Sequence, residues 1–442
     1  MDKVSFSGWG NVKRSESFLR EPATANEVRK MILSSGSKGT IPRGAGRSYG
    51  DQAMNEHGDV IRLSFKTNRW SQPDSEGIIT VSSSVTFSEL LEVLVPLGWY
   101  LPVVPGTGFV TIGGAIAADI HGKNHFHNSS LAEHIQSLTL MLADGEIVEC
   151  SPKSEGNLFW ATVGGLGLTG IILEANIRLT RIQSDRILVC TRKFDHFSQL
   201  FEAMKSKAVK SHYSVAWLDL VSKGKDARGI LETGDHESSN ESTSFAYKTK
   251  PTVNVPRYIP NKILNTRTIR AYNALRFNYS EEDSPEVSKL FSEYLFPLDK
   301  FGNWNRLYGR SGLIQWQVVL PDESEDMLFN IIQSIITSGH HAFLAVLKKL
   351  GPANRAPLSF PMSGWTLAVD FPAREQGVYD YLHTLDHEVV KAGGRLYLAK
   401  DVRLDPQFLL KMYPRLDEWK LIRKEVDPQR RWQSDFSRRL DL

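Results

Sequence analysis

The residues of this chain best suited to chemistry fall in three glycine clusters: Arg43-Gly-Ala-Gly-Arg-Ser-Tyr-Gly-Asp, Pro105-Gly-Thr-Gly with Gly113-Gly114, and Gly164-Gly-Leu-Gly-Leu-Thr-Gly. Glycine accepts positive φ and leaves no side chain in the way, so successive backbone N–H groups can converge on phosphate oxygens. One such loop alone reads as a tight turn. Three together suit a dinucleotide bearing a pyrophosphate. The first cluster matches neither a P-loop, whose lysine is missing, nor a Rossmann fingerprint, whose strand, loop and helix spacing is absent. On this reading residues 43–48 and 106–108 cradle phosphate, 113–118 run along a flat ring, and 165–169 pack near the pyrophosphate or base.

Other candidates are weaker. His121, His125 and His127 are spaced so that imidazoles could converge on a metal, but no cysteine or carboxylate set completes a site, and none is expected. Lys348-Lys349, before Leu350-Gly-Pro, would serve a substrate phosphate or plain solubility equally well. Lys400 beside Asp401 reads on its own as a surface lysine.

The elements that must hold these residues are of mixed type. Pro22-Ala-Thr-Ala-Asn-Glu opens a helix that puts Val28, Ile32 and Leu33 on one face. Short strands are expected near residues 39–42, 60–64, 78–83, 135–142, 146–150 and 170–179. Thr86 followed by Glu89 predicts a capping box, with a helix ending near Pro96 and Gly98. Further on, 309–320, 343–350 and 365–371 read as buried strands of a sheet with helices on one side, interrupted by polar surface excursions at 223–244 and 251–260. The last stretch has little strand pattern, and its run Lys420, Arg423, Lys424, Arg430, Arg431, Arg438 and Arg439 reads as a solvated face.

The bulk numbers narrow the class. A chain of 442 residues is long enough for two or three domains without staples. A net charge of +3, from 53 Lys and Arg against 50 Asp and Glu, predicts no nucleic-acid footprint. Two cysteines make no disulfide scaffold. No apolar run approaches the roughly 20 residues of a membrane span, nor does the start look like a signal peptide, so a cytoplasmic protein is expected, with peripheral contact at the inner face of the membrane left open.

Longer motifs carry a resemblance. Pro42-Arg-Gly-Ala-Gly-Arg-Ser-Tyr-Gly-Asp, then Pro105-Gly-Thr and Gly113-Gly-Ala-Ile-Ala-Ala-Asp-Ile-His-Gly-Lys-Asn-His, resemble the vanillyl-alcohol-oxidase superfamily of FAD proteins. Within it the chain is most similar to the branch that oxidises lipid-phosphate-linked ribose, through Tyr213-Ser-Val-Ala-Trp, Trp304-Asn-Arg-Leu-Tyr-Gly, Gln315-Trp-Gln, Gly393-Gly-Arg-Leu-Tyr, Ala399-Lys-Asp and Met412-Tyr-Pro-Arg-Leu-Asp-Glu-Trp. The motifs span nearly the whole chain. They imply an α+β fold: a two-part FAD-binding domain over 1–186, a substrate-binding cap with an antiparallel sheet over 187–398, and a segment over 399–442 returning to the FAD domain.

The resemblance also implies roles. FAD would be held non-covalently, despite His121, by Arg43, Gly44, Ala45, Gly46, Arg47, Ser48, Tyr49, Pro105, Gly106, Thr107, Gly113, Gly114, Ala117, His121, Gly122, Asn124, Gly165, Gly170, Ile172 and Tyr397. Trp217, Gln315, Gln317, Lys348 and Lys400 would meet the substrate. Tyr49, His121 and above all Lys400 would be catalytic. The expected reaction is oxidation of the 2-hydroxyl of a polyprenylphosphoryl ribose to a ketone, completed to the arabinose epimer by a separate NADH-dependent short-chain reductase. Another FAD-dependent sugar or aldonolactone oxidase is the alternative. The sequence departs from the mycobacterial form at Ala368, where that form has cysteine, and at Thr366, where it has asparagine; the first change removes an attachment point for covalent inhibitors, not the hydride chemistry.

Overall fold

The computed structural model describes residues 3–222, 226–238, 245, 247, 251–257, 259, 263–280 and 284–442. Its α+β architecture rests on three main sheets. The first takes its strands in the order Lys3–Ser7, Arg14–Arg20, Asp59–Ile61, Thr40–Pro42. The second runs Ile78–Ser82, Ile171–Arg178, Ile135–Met141, Ile147–Cys150. Between them lie the glycine loops.

Local rules account for the helices around these sheets. Thr24 caps the helix Ala25–Leu33, which buries Val28 and Ile32. Thr86 and Glu89 form the expected capping box on Phe87–Leu94, whose Phe87, Leu90, Leu91 and Leu94 enter the core. A helix also forms at Ile112–Ala117, where four small residues hide any apolar period; Thr111 starts it by accepting the Gly114 N–H at 3.2 Å.

The third sheet has eight strands, all antiparallel, in the order Val287–Leu290, Arg186–Phe194, Arg228–His236, Tyr213–Asp219, Ala345–Leu350, Gly364–Pro372, Leu313–Pro321, Arg395–Leu396. Side chains alternate along each strand, so the sheet has two distinct faces. Trp316, Val318, Leu347, Leu367 and Val369 pack against the helices Phe197–Lys207, Glu325–Ser338 and Val378–Lys391. On the opposite face the register sets Gln315 against Asp370, Gln317 and Val346 against Ala368, and Lys348 against Thr366. That second face turns towards the glycine loops.

Two expectations need correction. Much of the 223–244 stretch is not a surface excursion: Arg228–His236 is an interior strand, with Ile230 and Leu231 buried and its polar residues paired, Arg228 with Asp219 at 2.9 Å and Glu232 with Lys289 at 3.6 Å. Residues 223–225 and 239–244 of that stretch lie outside the described residues. The C-terminal basic run is not uniformly solvated either. Its helices, Pro406–Met412, Leu416–Val426 and Asp435–Arg439, fold back on the first half of the chain: Trp419 Nε1 donates to Ala161 O at 2.9 Å and Gln433 N to Thr40 O at 2.9 Å. Arg423 is 4% exposed and donates to Trp432 O, while Arg439 enters an ion network described below.

Candidate active site

A cavity of about 770 Å³ lies between the glycine loops and the free face of the large sheet. Ligand pockets run to roughly 300–1,000 Å³, so the space suits a large organic molecule. Arg43 to Tyr49, Pro105 to Thr107, Gly113, Gly114, Ala117, His121, Gly170, Ile172 and Tyr397 line it, and Gln315, Gln317, Lys348, Ala368 and Lys400 line it from the sheet side.

The first loop is shaped as a donor cradle. Gly46 has φ +65°, and a Cβ on Gly44 would collide with Thr111 Oγ1. Arg43 N is tied to Ile61 O at 2.8 Å and Tyr49 N to Ala399 O at 3.1 Å, but among the described residues the amides of residues 44–48 between them donate to no protein acceptor. Neither do the amides of Gly106 and Thr107. Free backbone donors along loops that line a cavity suit an anion such as a pyrophosphate. The Arg43 side chain does not add to the cradle. Its guanidinium donates to Ala53 O at 2.8 Å and Ser7 O at 2.7 Å, bracing the loop from behind. Arg47 lies over Trp9 at 4.0 Å from the ring centroid, with its Nε buried and unpartnered. Asp299 fixes the second loop by accepting the Gly108 N–H at 2.7 Å; burial pushes its carboxyl up to about 6.

The sheet end is held just as closely. Segment 397–401 is pinned to 49–52 by Tyr49 N on Ala399 O, and by Gln52 Nε2 on Leu398 O at 2.7 Å and Asp401 O at 2.6 Å. This places Lys400 Nζ 3.9 Å from the centroid of the Tyr49 ring. Burial lowers Lys400 to about 8, against the pull of Asp370, and lowers Lys348 to about 7, helped by Lys400 and Lys123. Among the described residues neither ammonium is bonded to a carboxylate. Gln317 Nε2 lies 3.2 Å from His121 Nε2 and 3.2 Å from Thr366 Oγ1. His121 is 7% exposed, its Nδ1 has no protein partner, and burial, with Lys348, His125 and Lys400 nearby, holds it well below the usual imidazole range. It is therefore neutral. Tyr397 donates to Ala118 O at 2.7 Å and stacks on Phe360 at 4.6 Å.

Four expected residues are off the wall. Trp217 shares the sheet face of Val346, but it is absent from the cavity lining: Phe277 packs on it and Arg276 lies 4.7 Å over its ring, so the helix Thr266–Tyr279 covers it. Asn124 is 1% exposed and donates to Pro102 O at 2.8 Å; it shapes the turn behind His121. Gly122 packs on Asn124 and Val104, and Gly165 on the carbonyl of Ala161 at the end of the helix Gly156–Thr162.

Sequence reasoning also missed residues that matter here. Asp370 is buried at 1% exposure, and its carboxylate accepts from Gln315 Nε2 at 2.6 Å and Tyr308 Oη at 3.5 Å. A lone carboxylate inside the apolar run 365–371 was the available signal. Trp9, Thr111, Gln52 and Asp299 carried none that could be read locally.

Comparison with known proteins agrees with this geometry. A family model described as FAD binding domain matches residues 17–151, and one described as D-arabinono-1,4-lactone oxidase matches residues 366–440. Decaprenylphosphoryl-beta-D-ribose oxidase of Mycolicibacterium smegmatis is 38% identical over 98% of this chain and 97% of its own. The chain belongs to the decaprenylphosphoryl-beta-D-ribose oxidase family. An uncharacterized protein in mprA 5'region of Streptomyces coelicolor is 31% identical over 81% of this chain and all of its own. L-gulonolactone oxidase of Scyliorhinus torazame is 32% identical over 39% of this chain and 40% of its own, a partial likeness only. As a member of the decaprenylphosphoryl-beta-D-ribose oxidase family this protein is an FAD-dependent oxidoreductase acting on CH–OH groups, with FAD bound non-covalently. The free amides of residues 44–48, 106 and 107 fit its pyrophosphate, and the unpartnered His121 Nδ1 and Arg47 Nε are polar atoms a bound group could satisfy.

Proposed function

We propose that this enzyme oxidises the 2-hydroxyl of a polyprenylphosphoryl-β-D-ribose to the 2-keto compound, the first half of epimerisation to the arabinose form. The observation that carries the reading is the pair Lys348 and Lys400, two lysines on the cavity wall with no carboxylate bonded to either among the described residues. The family likeness along almost the full chain supports the same substrate class.

FAD, when bound, supplies the hydride acceptor. The chain's own residues do the rest. Lys400, lowered to about 8, holds a usable fraction of neutral amine near pH 7 and takes the proton of the reacting hydroxyl. Neutral His121 and the amide of Gln317 fix the wall beside it. Lys348 offers charge to the substrate phosphate. Its titration near 7 means that the arriving phosphodiester anion also secures its proton.

A separate NADH-dependent short-chain reductase would reduce the ketone from the other face. Peripheral docking at the inner membrane face fits a lipid-linked substrate: among the described residues no helix is long and apolar enough to cross a membrane, yet Tyr272, Leu275 and Tyr279 on the helix Thr266–Tyr279 are 49%, 56% and 83% exposed. The match of residues 366–440 to the D-arabinono-1,4-lactone oxidase model favours a second reading, a soluble sugar or aldonolactone as substrate. Product analysis separates the two. Incubation with lipid-linked ribose should give a ketone that borodeuteride labels at C2. Label above a no-enzyme control arising only from free sugars or lactones would support the second reading.

A further inference from the structure

A base that gains a proton inside a protein becomes a buried cation, and something must stabilise it. Beyond the cavity wall the strand Gly364–Pro372 carries Asp370, on the same sheet face as Ala368 and opposite Gln315. Gln315 Nε2 and Tyr308 Oη bond its two oxygens, at 2.6 and 3.5 Å. Among the described residues no cation is in ion-pair contact with it. A carboxylate this deeply buried without a cation is costly, and a structural one would be expected to carry such a partner.

We propose that Asp370 is a positioning residue for Lys400: it sets the pH at which the Lys400 amine is free, and its charge stabilises the ammonium that forms when the substrate hydroxyl is deprotonated. This rests on the reading of Lys400 as the proton acceptor given above. Lys400 lies over the Tyr49 ring, and its charge acts on Asp370, Lys348 and His121; Asp370 is bonded by Tyr308, and its charge acts on Lys400 and Tyr49. Asp370 is the one acid among them. Burial pushes its carboxyl up to about 7, while Gln315, Lys400 and Tyr308 pull it down. It and Lys400 thus change charge within about the same pH interval and behave as a coupled pair. In the step itself the substrate O–H bond breaks, an N–H bond forms on Lys400, and the carbon-bound hydrogen leaves with two electrons to FAD, the oxidant of the family. The site passes from a carboxylate beside a neutral amine to a carboxylate beside an ammonium. Asp370 acts here through its ionised form, and the share of enzyme that carries this counter-charge grows as pH rises through its own midpoint.

Asp370 holds the Lys400 midpoint up, so Asp370→Asn should move it about 1–3 pH units lower, the range for losing a nearby opposite charge. Competitive acetylation of FAD-loaded protein with isotope-labelled acetic anhydride, read by mass spectrometry against pH, measures the Lys400 midpoint without any substrate. The acid limb of flavin bleaching by lipid-linked ribose should move to lower pH by the same amount, while the high-pH plateau falls by about tenfold or more because the amine becomes a weaker base and its ammonium loses its counter-charge. A role confined to packing would lower the plateau and leave both midpoints in place. If Asp370→Asn does not fold, Tyr308→Phe serves: losing the hydroxyl on one carboxylate oxygen favours neutral Asp370 and moves the midpoint less far in the same direction. Unmoved Lys400 midpoints in the folded, FAD-loaded variants overturn the proposal. A midpoint that moves in an enzyme whose flavin lipid-linked ribose does not bleach supports the pairing and removes the substrate reading instead.

Discussion

Replacing Arg439 by Leu should loosen the site from a distance. Arg439 Nη2 bonds Asp51 Oδ1 and Asp401 Oδ2, each at 2.8 Å, and Nε bonds Asp51 Oδ2 at 3.0 Å. The two carboxylates are 2% and 1% exposed, and Asp401 follows Lys400 directly. Removing one partner of a buried ionic network costs about 3–5 kcal/mol. The low end applies here, because Asp51 keeps Lys13 at 3.1 Å and Asp401 Oδ1 keeps the amides of Arg403 and Leu404 at 2.8 and 2.7 Å. With a urea slope of about 3 kcal/mol per molar, a loss of about 3 kcal/mol lowers the unfolding midpoint by about 1 M. The pH dependence has a definite sign. Burial alone would raise the Asp51 carboxyl, but Arg439 and Lys13 outweigh it and hold the group below its usual value. Its stabilisation is therefore complete above the unfolded carboxylate value of about 3.9 and is lost as pH falls through the lower folded value. The Arg439→Leu defect should shrink in that acid range. Urea titrations of both proteins from pH 7 down to pH 3, with bound flavin followed in parallel, provide the check. A loss below about 1 kcal/mol at pH 7 would mean that the network behaves like an exposed pair and does not brace Lys400.

Three further outcomes follow from the geometry. Gly44→Ala drives a Cβ into Thr111 Oγ1, the cap of the helix Ile112–Ala117, and should cost about 1–3 kcal/mol and strip FAD on gel filtration, whereas the wild type retains it. Trp217→Leu opens space under the helix Thr266–Tyr279 and should lower the melting temperature while leaving KM for the lipid-linked substrate within about twofold; a KM rise of tenfold or more would put Trp217 back in the pocket. Lys348→Met should raise KM at least tenfold for a phosphorylated substrate and leave the response to an unphosphorylated ribose glycoside unchanged, which parallel steady-state assays would show.

Much of this fold was legible where local chemistry decides it. Thr86 and Glu89 announced their helix, and Ile135 to Leu142 and Trp365 to Phe371 announced strands by composition. The reading failed where long-range pairing overrides local pattern. Arg228–His236 looks polar in sequence, yet Asp219, Lys289 and the amide of His212 satisfy Arg228, Glu232 and Asp235 once the sheet forms. Trp217, placed with the substrate by its motif, is covered by Phe277 and Arg276 and is absent from the cavity lining. The glycine loops were legible as donors because glycine spacing is a local property. Asp370 was not, because its meaning comes from Gln315 on the neighbouring strand and Lys400 on a distant loop.

Anaerobic mixing of the FAD-loaded enzyme with a polyprenylphosphoryl ribose and with its 2-deoxy analogue tests the central claim most directly. Rapid loss of the oxidised flavin absorbance with the first and none with the second is the predicted result, with a rate that climbs towards a plateau above about pH 8 as Lys400 deprotonates. Equal bleaching by both compounds, or an absorbance that neither changes, would contradict oxidation at the 2-hydroxyl.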